Sequence, residues 1–293
     1  MGKISCVKMD PIYRKNHQQT GIAWNVTAAI YERDEANDLA LLRSGGNSLL
    51  PVEQRFLQGL NTWCRRAIHL QCAGGTDTLS LWNLGAAEVV GVDISENMLT
   101  VARRKSAALA APASWYCCDI LDTPHELDDS ADLVYTGKGA LPWMMDIQAW
   151  ADVVARLLKQ GGKLYVFEGH PLDWVWDMDE TTYQFSAQTG NYFSEAVATD
   201  RGWPMFSDAI QEHIHKDQFH VHERQWTLRA ILNSLAAAGL QLEHFEEYPD
   251  LFWNQFPHLP PELARRLPHT FSLLMRKEQA LERGNELYGL EAG

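Results

Sequence analysis

The chain has 293 residues, 46% hydrophobic and 22% charged, a balance that supports a full core and excludes a wholly disordered polymer. Thirty-eight acids against 25 bases give a net charge of −13, which repels phosphate backbones and disfavours nucleic acid as a partner. No apolar run reaches the roughly 18 residues of a spanning helix. The N-terminus also lacks the apolar segment of a secretory leader. The expectation is a cytoplasmic protein with no membrane partner. Cys6, Cys64, Cys72, Cys117 and Cys118 are odd in number and lack zinc spacing, which fits reduced thiols better than disulfides.

Residues 1–21 are polar and read as loose. Apolar residues recur at helical spacing over 22–30 and 34–42. Ser44-Gly45-Gly46-Asn47-Ser48 breaks that pattern, and Pro51 opens a short helix to about Trp63. Strands and helices then alternate. Strands are predicted at 67–72, 88–93, 114–119, 131–136 and 163–168, with helices at 78–84, 95–109 and 146–158. Repeated βα units imply a doubly wound, mainly parallel sheet with right-handed crossovers. Residues 170–225 are irregular, aromatic and histidine-rich. A helix at 227–238 and strands at 240–248 and 270–276 follow. The proline-rich stretch between those strands (Pro249, Pro257, Pro260, Pro261, Pro268) reads as a flap. Eleven tryptophans, several beside glycine or proline, are candidates to line a pocket.

Open α/β sheets bind ligands beyond the carboxyl ends of their strands. The first strand runs into Gln71-Cys72-Ala73-Gly74-Gly75-Thr76-Asp77. Adjacent glycines let a ligand approach the backbone. The spacing is not G-x-G-x-x-G, and a tight turn with no ligand reads equally well. Asp93, 22 residues past Gln71, suits a bidentate grip on two ribose hydroxyls. It could also cap the next helix, a role Ser95 fits as well. Asp119 ends the third strand, placed to accept from an adenine amino group or to close a turn. Glycine turn and acid together point to an adenosine-containing ligand.

With these pieces in view, residues 69–168 resemble a class I S-adenosylmethionine-dependent methyltransferase of the small-molecule branch. The resemblance rests on Leu70-Gln71-Cys72-Ala73-Gly74-Gly75-Thr76-Asp77, Val90-Gly91-Val92-Asp93-Ile94-Ser95, Cys118-Asp119-Ile120 and Leu157-Leu158-Lys159-Gln160-Gly161-Gly162-Lys163-Leu164. Gln160 replaces the proline of the family's Pro-Gly-Gly turn. Gln71 stands where an acid is usual, and Ala73 where a glycine is. The resemblance implies a Rossmann-like seven-stranded, mainly parallel sheet with helices on both faces and a terminal antiparallel hairpin. It implies four regions: an N-terminal helical lid (1–60), the S-adenosylmethionine-binding core (61–169), an acceptor-binding insertion (170–225) and a helix with hairpin completing the sheet (226–293).

The implied cofactor residues are Trp24, Tyr31, Gln71, Ala73, Gly74, Gly75, Asp93, Ile94, Met98, Asp119, Ile120, Thr136 and Gly137. Trp24 and Tyr31 are seven apart and share a helix face. They belong either to a lid over the cofactor or to a helix packed on the sheet. Aromatic faces beside a desolvated sulfonium contribute up to about 2 kcal/mol. The fourth strand ends in Tyr135-Thr136-Gly137-Lys138-Gly139 and lacks the Asn/Asp-Pro-Pro-Tyr/Phe motif of members that methylate DNA bases or protein amides. Gly137 and Gly139 let backbone carbonyls face the sulfonium.

The acceptor side falls to Glu168, His170 and Trp143 as catalytic candidates, with Tyr135, Lys138, Trp143, Trp174, Trp176 and Trp203 as substrate contacts. His170 is either a general base or a fixture of the loop before Pro171. Lys138 reads as solvated or anion-pairing rather than as a base. His213-x-His215 and His220-x-His222 lack the cysteines or carboxylates of a metal site, so no metal is expected. Cys117-Cys118 reads as strand packing.

The implied reaction is in-line transfer of the S-adenosylmethionine methyl to a small aromatic or amine-bearing acceptor, driven by positioning. Three alternatives stand beside it. One is a cyclase or lyase releasing methylthioadenosine, as azetidine-2-carboxylate synthases do, for which the neutral Gln71 speaks. The second is a nicotinamide oxidoreductase. The third is a non-catalytic adenosyl-ligand binding protein. The expected assembly is a monomer or homodimer.

Overall fold

The computed structural model describes residues 10–200 and 220–278. Strands β1 (Arg66–Leu70), β2 (Glu88–Asp93), β3 (Ala113–Cys117), β4 (Ala131–Gly137), β5 (Leu158–Gly169), β8 (Leu240–Tyr248) and β9 (Thr270–Lys277) form one sheet. Its order is β3-β2-β1-β4-β5-β9-β8. β1 pairs in parallel with both β2 and β4, so the winding reverses between them. β9 alone runs backwards, antiparallel to β5 and to β8. This is the architecture the sequence implies.

Side chains alternate across each strand. Ile68, Leu70, Val90, Val92, Val134, Leu164 and Val166 bury one face beneath α5 (Ile147–Leu157) and α6 (Leu228–Ala237). Ala67, Val89, Leu133, Tyr135, Tyr165 and Phe167 bury the other beneath α2 (Pro51–Leu57) and α3 (Thr76–Asn83). Runs apolar on both faces are what parallel strands covered twice require.

The N-terminal region departs from expectation. Residues 11–21 are not loose: α1 is one continuous helix, Pro11–Arg43, started by Pro11 and capped by Asp10, which accepts from the Ile12 N–H. Its first half buries Asn16, His17 and Thr20, whose polarity hides the helical face from an apolar-spacing test. Gly21 does not break it. That glycine lets α1 lie against Ile94, whose side chain would stand 3.2 Å from an added Cβ. α1 packs on α4 (Glu96–Leu109).

β1 ends two residues earlier than expected because Gln71 turns left-handed, at φ 58°. Within 170–225, a 3-10 turn (Pro171–Val175) is followed by β6 (Val197–Asp200), which pairs antiparallel with β7 (Val221–Arg224). The connection from β8 to β9 carries one short helix, α7 (Pro261–Ala264). Among the described residues no helix is long and apolar enough to cross a membrane.

Candidate functional site

A cavity of about 920 Å³ opens beyond the carboxyl ends of β1, β2, β4 and β5, where the winding reverses. Gln71, Ala73 and Gly75 all take positive φ in the turn that forms its floor. Gly75 could not be another residue: an added Cβ would lie 2.6 Å from Trp115 and 2.7 Å from Ala102. Tyr31 of α1 packs over Gly74. Burial pushes its hydroxyl up to about 12, helped by the charge of Asp93.

Asp93 is 8% exposed. Its Oδ2 accepts the Ala73 N–H at 2.8 Å and its Oδ1 the Ser95 N–H at 2.8 Å. A carboxylate offers about four lone-pair sites, and with the Ile94 N–H also turned to it Asp93 still keeps capacity for a further donor. Burial lifts this carboxyl to about 6, with the Ser95 and Ala73 N–H groups opposing. Ser95, not Asp93, caps α4 through its hydroxyl, which accepts from Met98.

Asp119 keeps one open site per oxygen. Oδ1 accepts from the Leu121 N–H at 3.0 Å, and Oδ2 lies 2.7 Å from His17 Nδ1. The Met145 N–H donates to His17 Nε2 at 3.0 Å, which leaves the proton on Nδ1. Gln71 is fixed by its Nε2, which donates to the Ala140 carbonyl at 2.7 Å. Its Oε1 is buried with no partner among the described residues. A buried acceptor left so costs about 1–3 kcal/mol.

Ile94, Ile120 and Gly137 line the same cavity, as do Trp24 and Trp143, whose rings meet edge to face at 5.6 Å. Gly137 has no room for a side chain, because an added Cβ would lie 2.1 Å from the Phe167 carbonyl. Four expected contacts lie elsewhere. Met98 is buried in α4, and the Thr136 hydroxyl turns to the Leu70 carbonyl. Tyr135 is wholly buried, donating to Glu53 Oε1 at 2.6 Å. Trp176 packs on Tyr183 and Phe185. Trp203, His213 and His215 lie outside the described residues. His222 is held by Thr199 Oγ1 and Gln19 Oε1, and His220 is exposed.

Both titratable catalytic candidates are occupied. Glu168 accepts four backbone N–H groups, from Gly139, Ala140, Leu141 and Gly169, at 2.5 to 3.0 Å. That fills its lone-pair sites, so it holds the β4 loop and has none left for a substrate proton. Burial raises its pKa and those four bonds oppose the rise. His170 Nδ1 accepts from the Leu172 N–H at 3.0 Å, which leaves Nε2 to donate to Glu247 at 2.9 Å. Neither nitrogen has a free lone pair, so His170 fixes the loop. Burial lowers its pKa against the pull of Glu247. Lys138 lines the cavity with its ammonium on Asp77 at 2.9 Å. Burial pushes that ammonium down, and Asp77 and Glu53 more than reverse it.

Acceptor-side residues absent from the sequence reading come from the β8–β9 connection: Phe252, Trp253 and Gln255 line the cavity beside Trp174. Asp173 lines it too and is 3% exposed. Asp173 Oδ1 lies 2.6 Å from Nδ1 of the wholly buried His269, and Oδ2 accepts from Gln255 Nε2 at 2.5 Å. Nothing in the spacing of residues 173, 255 and 269 signals their meeting.

The family model for a methyltransferase domain matches residues 67–162. Residues 67–162 are thus similar to a methyltransferase domain. The matched segment spans the glycine turn, Asp93, Asp119 and the β4 loop. A Mesorhizobium loti S-adenosylmethionine-dependent methyltransferase is 25% identical, with 77% of this chain and 96% of that one covered and a TM-score of 0.56. A Listeria monocytogenes protein, described as a candidate of the same class, is 21% identical over 78% and 98% of the two chains, with a TM-score of 0.57. An uncharacterized Haemophilus influenzae protein is 23% identical over 227 residues, 74% of this chain and 82% of its own. The matched segment is flanked in this chain by α1 before it and by α6, β8 and β9 after it.

Proposed function

We propose that this protein transfers the methyl group of S-adenosylmethionine to a small-molecule acceptor held in the same cavity. The observation that carries the reading is the set of unfilled acceptors on the cavity floor. Asp93 keeps lone-pair capacity beyond the backbone N–H groups turned to it, and Gln71 Oε1 has no partner among the described residues. Hydroxyl and amino groups are the donors that set would take. Ribose and the methionyl end of S-adenosylmethionine carry them, so the residues fit the cofactor. Asp119 would take the adenine amino group, and Ile94 and Ile120 would flank the base. When bound, the cofactor supplies an electrophilic methyl on a sulfonium.

The rest is the work of this chain's residues. Tyr31, Trp24 and Trp143 line the cavity, and aromatic rings of this kind attract a cation. Trp174, Phe252 and Trp253 exclude water from the acceptor's side. With Glu168 and His170 occupied, positioning carries most of the acceleration, as it does when reactants are held in line at contact distance. The acidic lining and the missing Asn/Asp-Pro-Pro motif favour a small molecule over nucleic acid. The test is to incubate the protein with S-adenosylmethionine and fractions of a small-molecule extract, then follow both adenosyl by-products by mass spectrometry. Acceptor-dependent S-adenosylhomocysteine is expected. Methylthioadenosine instead, or no turnover with any fraction, overturns the proposal.

A further inference from the structure

The acceptor end of the cavity holds a buried charge pair that the reading above leaves without a task. His269 Nε2 lies 2.9 Å from the Ala264 carbonyl, which only accepts, and 2.9 Å from the Tyr183 hydroxyl, which itself donates to that carbonyl. A proton therefore sits on Nε2. Nδ1 then shares its own proton with Asp173 across 2.6 Å. Burial pushes the imidazole down and Asp173 more than reverses it, while burial lifts the Asp173 carboxyl to about 6 against the bonds from His269 and Gln255. One bond from His269 and one from Gln255 fill half of Asp173's lone-pair sites. It is a nearly wholly buried carboxylate, half satisfied, on the wall of an open cavity.

Its surroundings define what would complete it. Trp143, Trp174, Phe252 and Trp253 give the cavity aromatic walls. Asp179 and Glu223 are further acids of the cavity's lining. Among the described lining residues Lys138 is the one lysine or arginine, and it is paired with Asp77. An anionic acceptor would meet no free cation among these residues, whereas an ammonium would find aromatic faces and a carboxylate together.

We propose that Asp173, oriented by His269 and Gln255, recognises an acceptor carrying a basic amine on an apolar body. Asp173 is then the specificity-determining group and His269 its positioning residue. The inference rests on the methyl-transfer reading for the order of binding, and its test separates the two. Affinity for S-adenosylhomocysteine is measured first by calorimetry, in the wild type and in Asp173→Asn. With that ligand bound, 2-phenylethylamine and its neutral isostere 2-phenylethanol are titrated into each protein. The wild type should bind the amine about tenfold or more tightly than the alcohol, and Asp173→Asn should lose that preference. Proton spectra of the wild type add a second readout. The downfield signal of the proton shared by His269 and Asp173 should move with the amine and not with the alcohol. S-adenosylhomocysteine that fails to bind the wild type defeats the methyl-transfer reading. If it binds, three outcomes each overturn the assignment of Asp173: no amine preference in the wild type, a preference that survives in Asp173→Asn, or a shared-proton signal indifferent to the amine. The spectral arm holds even where the variant does not fold.

Discussion

Glu168, Asp173 and Asp93 are all buried at the cavity and differ in how many of their lone-pair sites are filled. Glu168, with four backbone donors, is a structural tie whose replacement shows up in folding. Glu168→Gln puts an amide where two of those N–H groups point, so at least one buried donor on each side is left facing another. Each unmet group costs about 1–3 kcal/mol, and the variant should unfold at correspondingly lower denaturant. Equal midpoints for variant and wild type would remove Glu168 from this role. Asp93 makes the opposite prediction. Its folded pKa of about 6 lies above the ordinary carboxyl value, so its ionisation opposes folding. The stability linked to it is present at low pH and lost as pH rises through about 6. A ligand that donates to the ionised form works in the other direction. Affinity for S-adenosylhomocysteine should be full above about 6 and fall about tenfold for each pH unit below, by one-proton linkage. Asp93→Asn should bind more weakly, by about 2–4 kcal/mol, and without that pH dependence. Calorimetry across pH 4.5 to 7.5, roughly spanning the midpoint, reads both. A flat wild-type profile would detach Asp93 from the ligand.

At the level of elements, the alternating βα core was legible because its strands are apolar on both faces and its turns carry glycine. α1 was legible only from about Ile22 onward. There Trp24 and Tyr31 keep helical spacing, and both do line the cavity. Its first turns hide because their buried side chains are polar and are satisfied by partners far along the chain. His17 meets Asp119 and the Met145 N–H, and Gln19 meets His222. Arg14 grips both oxygens of Asp122, at 2.5 and 2.9 Å. Pairing over such distances leaves no periodicity to read. The same reason hides Asp173 and His269. By contrast, the positions of Glu168 and His170 were legible and their roles were not, since a sequence does not show which backbone donors will fill a lone pair. The His17 bridge makes its own prediction. His17→Ala leaves the buried Met145 N–H unpaired and frees one oxygen of Asp119. Stability should fall by about 1–3 kcal/mol, and amide exchange should quicken in residues 11–24 before it does in the sheet. Uniform acceleration across α1 and the sheet together would mean that His17 supports the whole fold rather than the docking of α1.

On the scale of the whole molecule, the sheet contributes only the cavity floor. Its walls include α1, the β4 loop with Trp143, the turn from Asp173 to Asp179, and the β8–β9 connection with Phe252 and Trp253. These segments are joined to one another by individual side-chain contacts, such as Trp24 with Trp143 and Gln255 with Asp173, while the strands beneath them are bonded to neighbours on both sides. Walls of that kind open locally at lower free energy than the core. A ligand that touches several of them at once should tie their openings together. S-adenosylhomocysteine should therefore slow amide exchange in residues 17–31, in the glycine turn and in the β4 loop, and leave β1, β4 and β5 at their slow global rate. The wall formed by residues 173–179 and 252–257 should respond less, because it faces the acceptor rather than the nucleoside. Adding 2-phenylethylamine to the S-adenosylhomocysteine complex should bring that second wall down in turn. Hydrogen-exchange mass spectrometry, run in the two steps, resolves the sequence. Protection of both walls in the first step would mean that the cofactor alone closes the cavity. Protection of neither in either step would contradict the placement of both ligands.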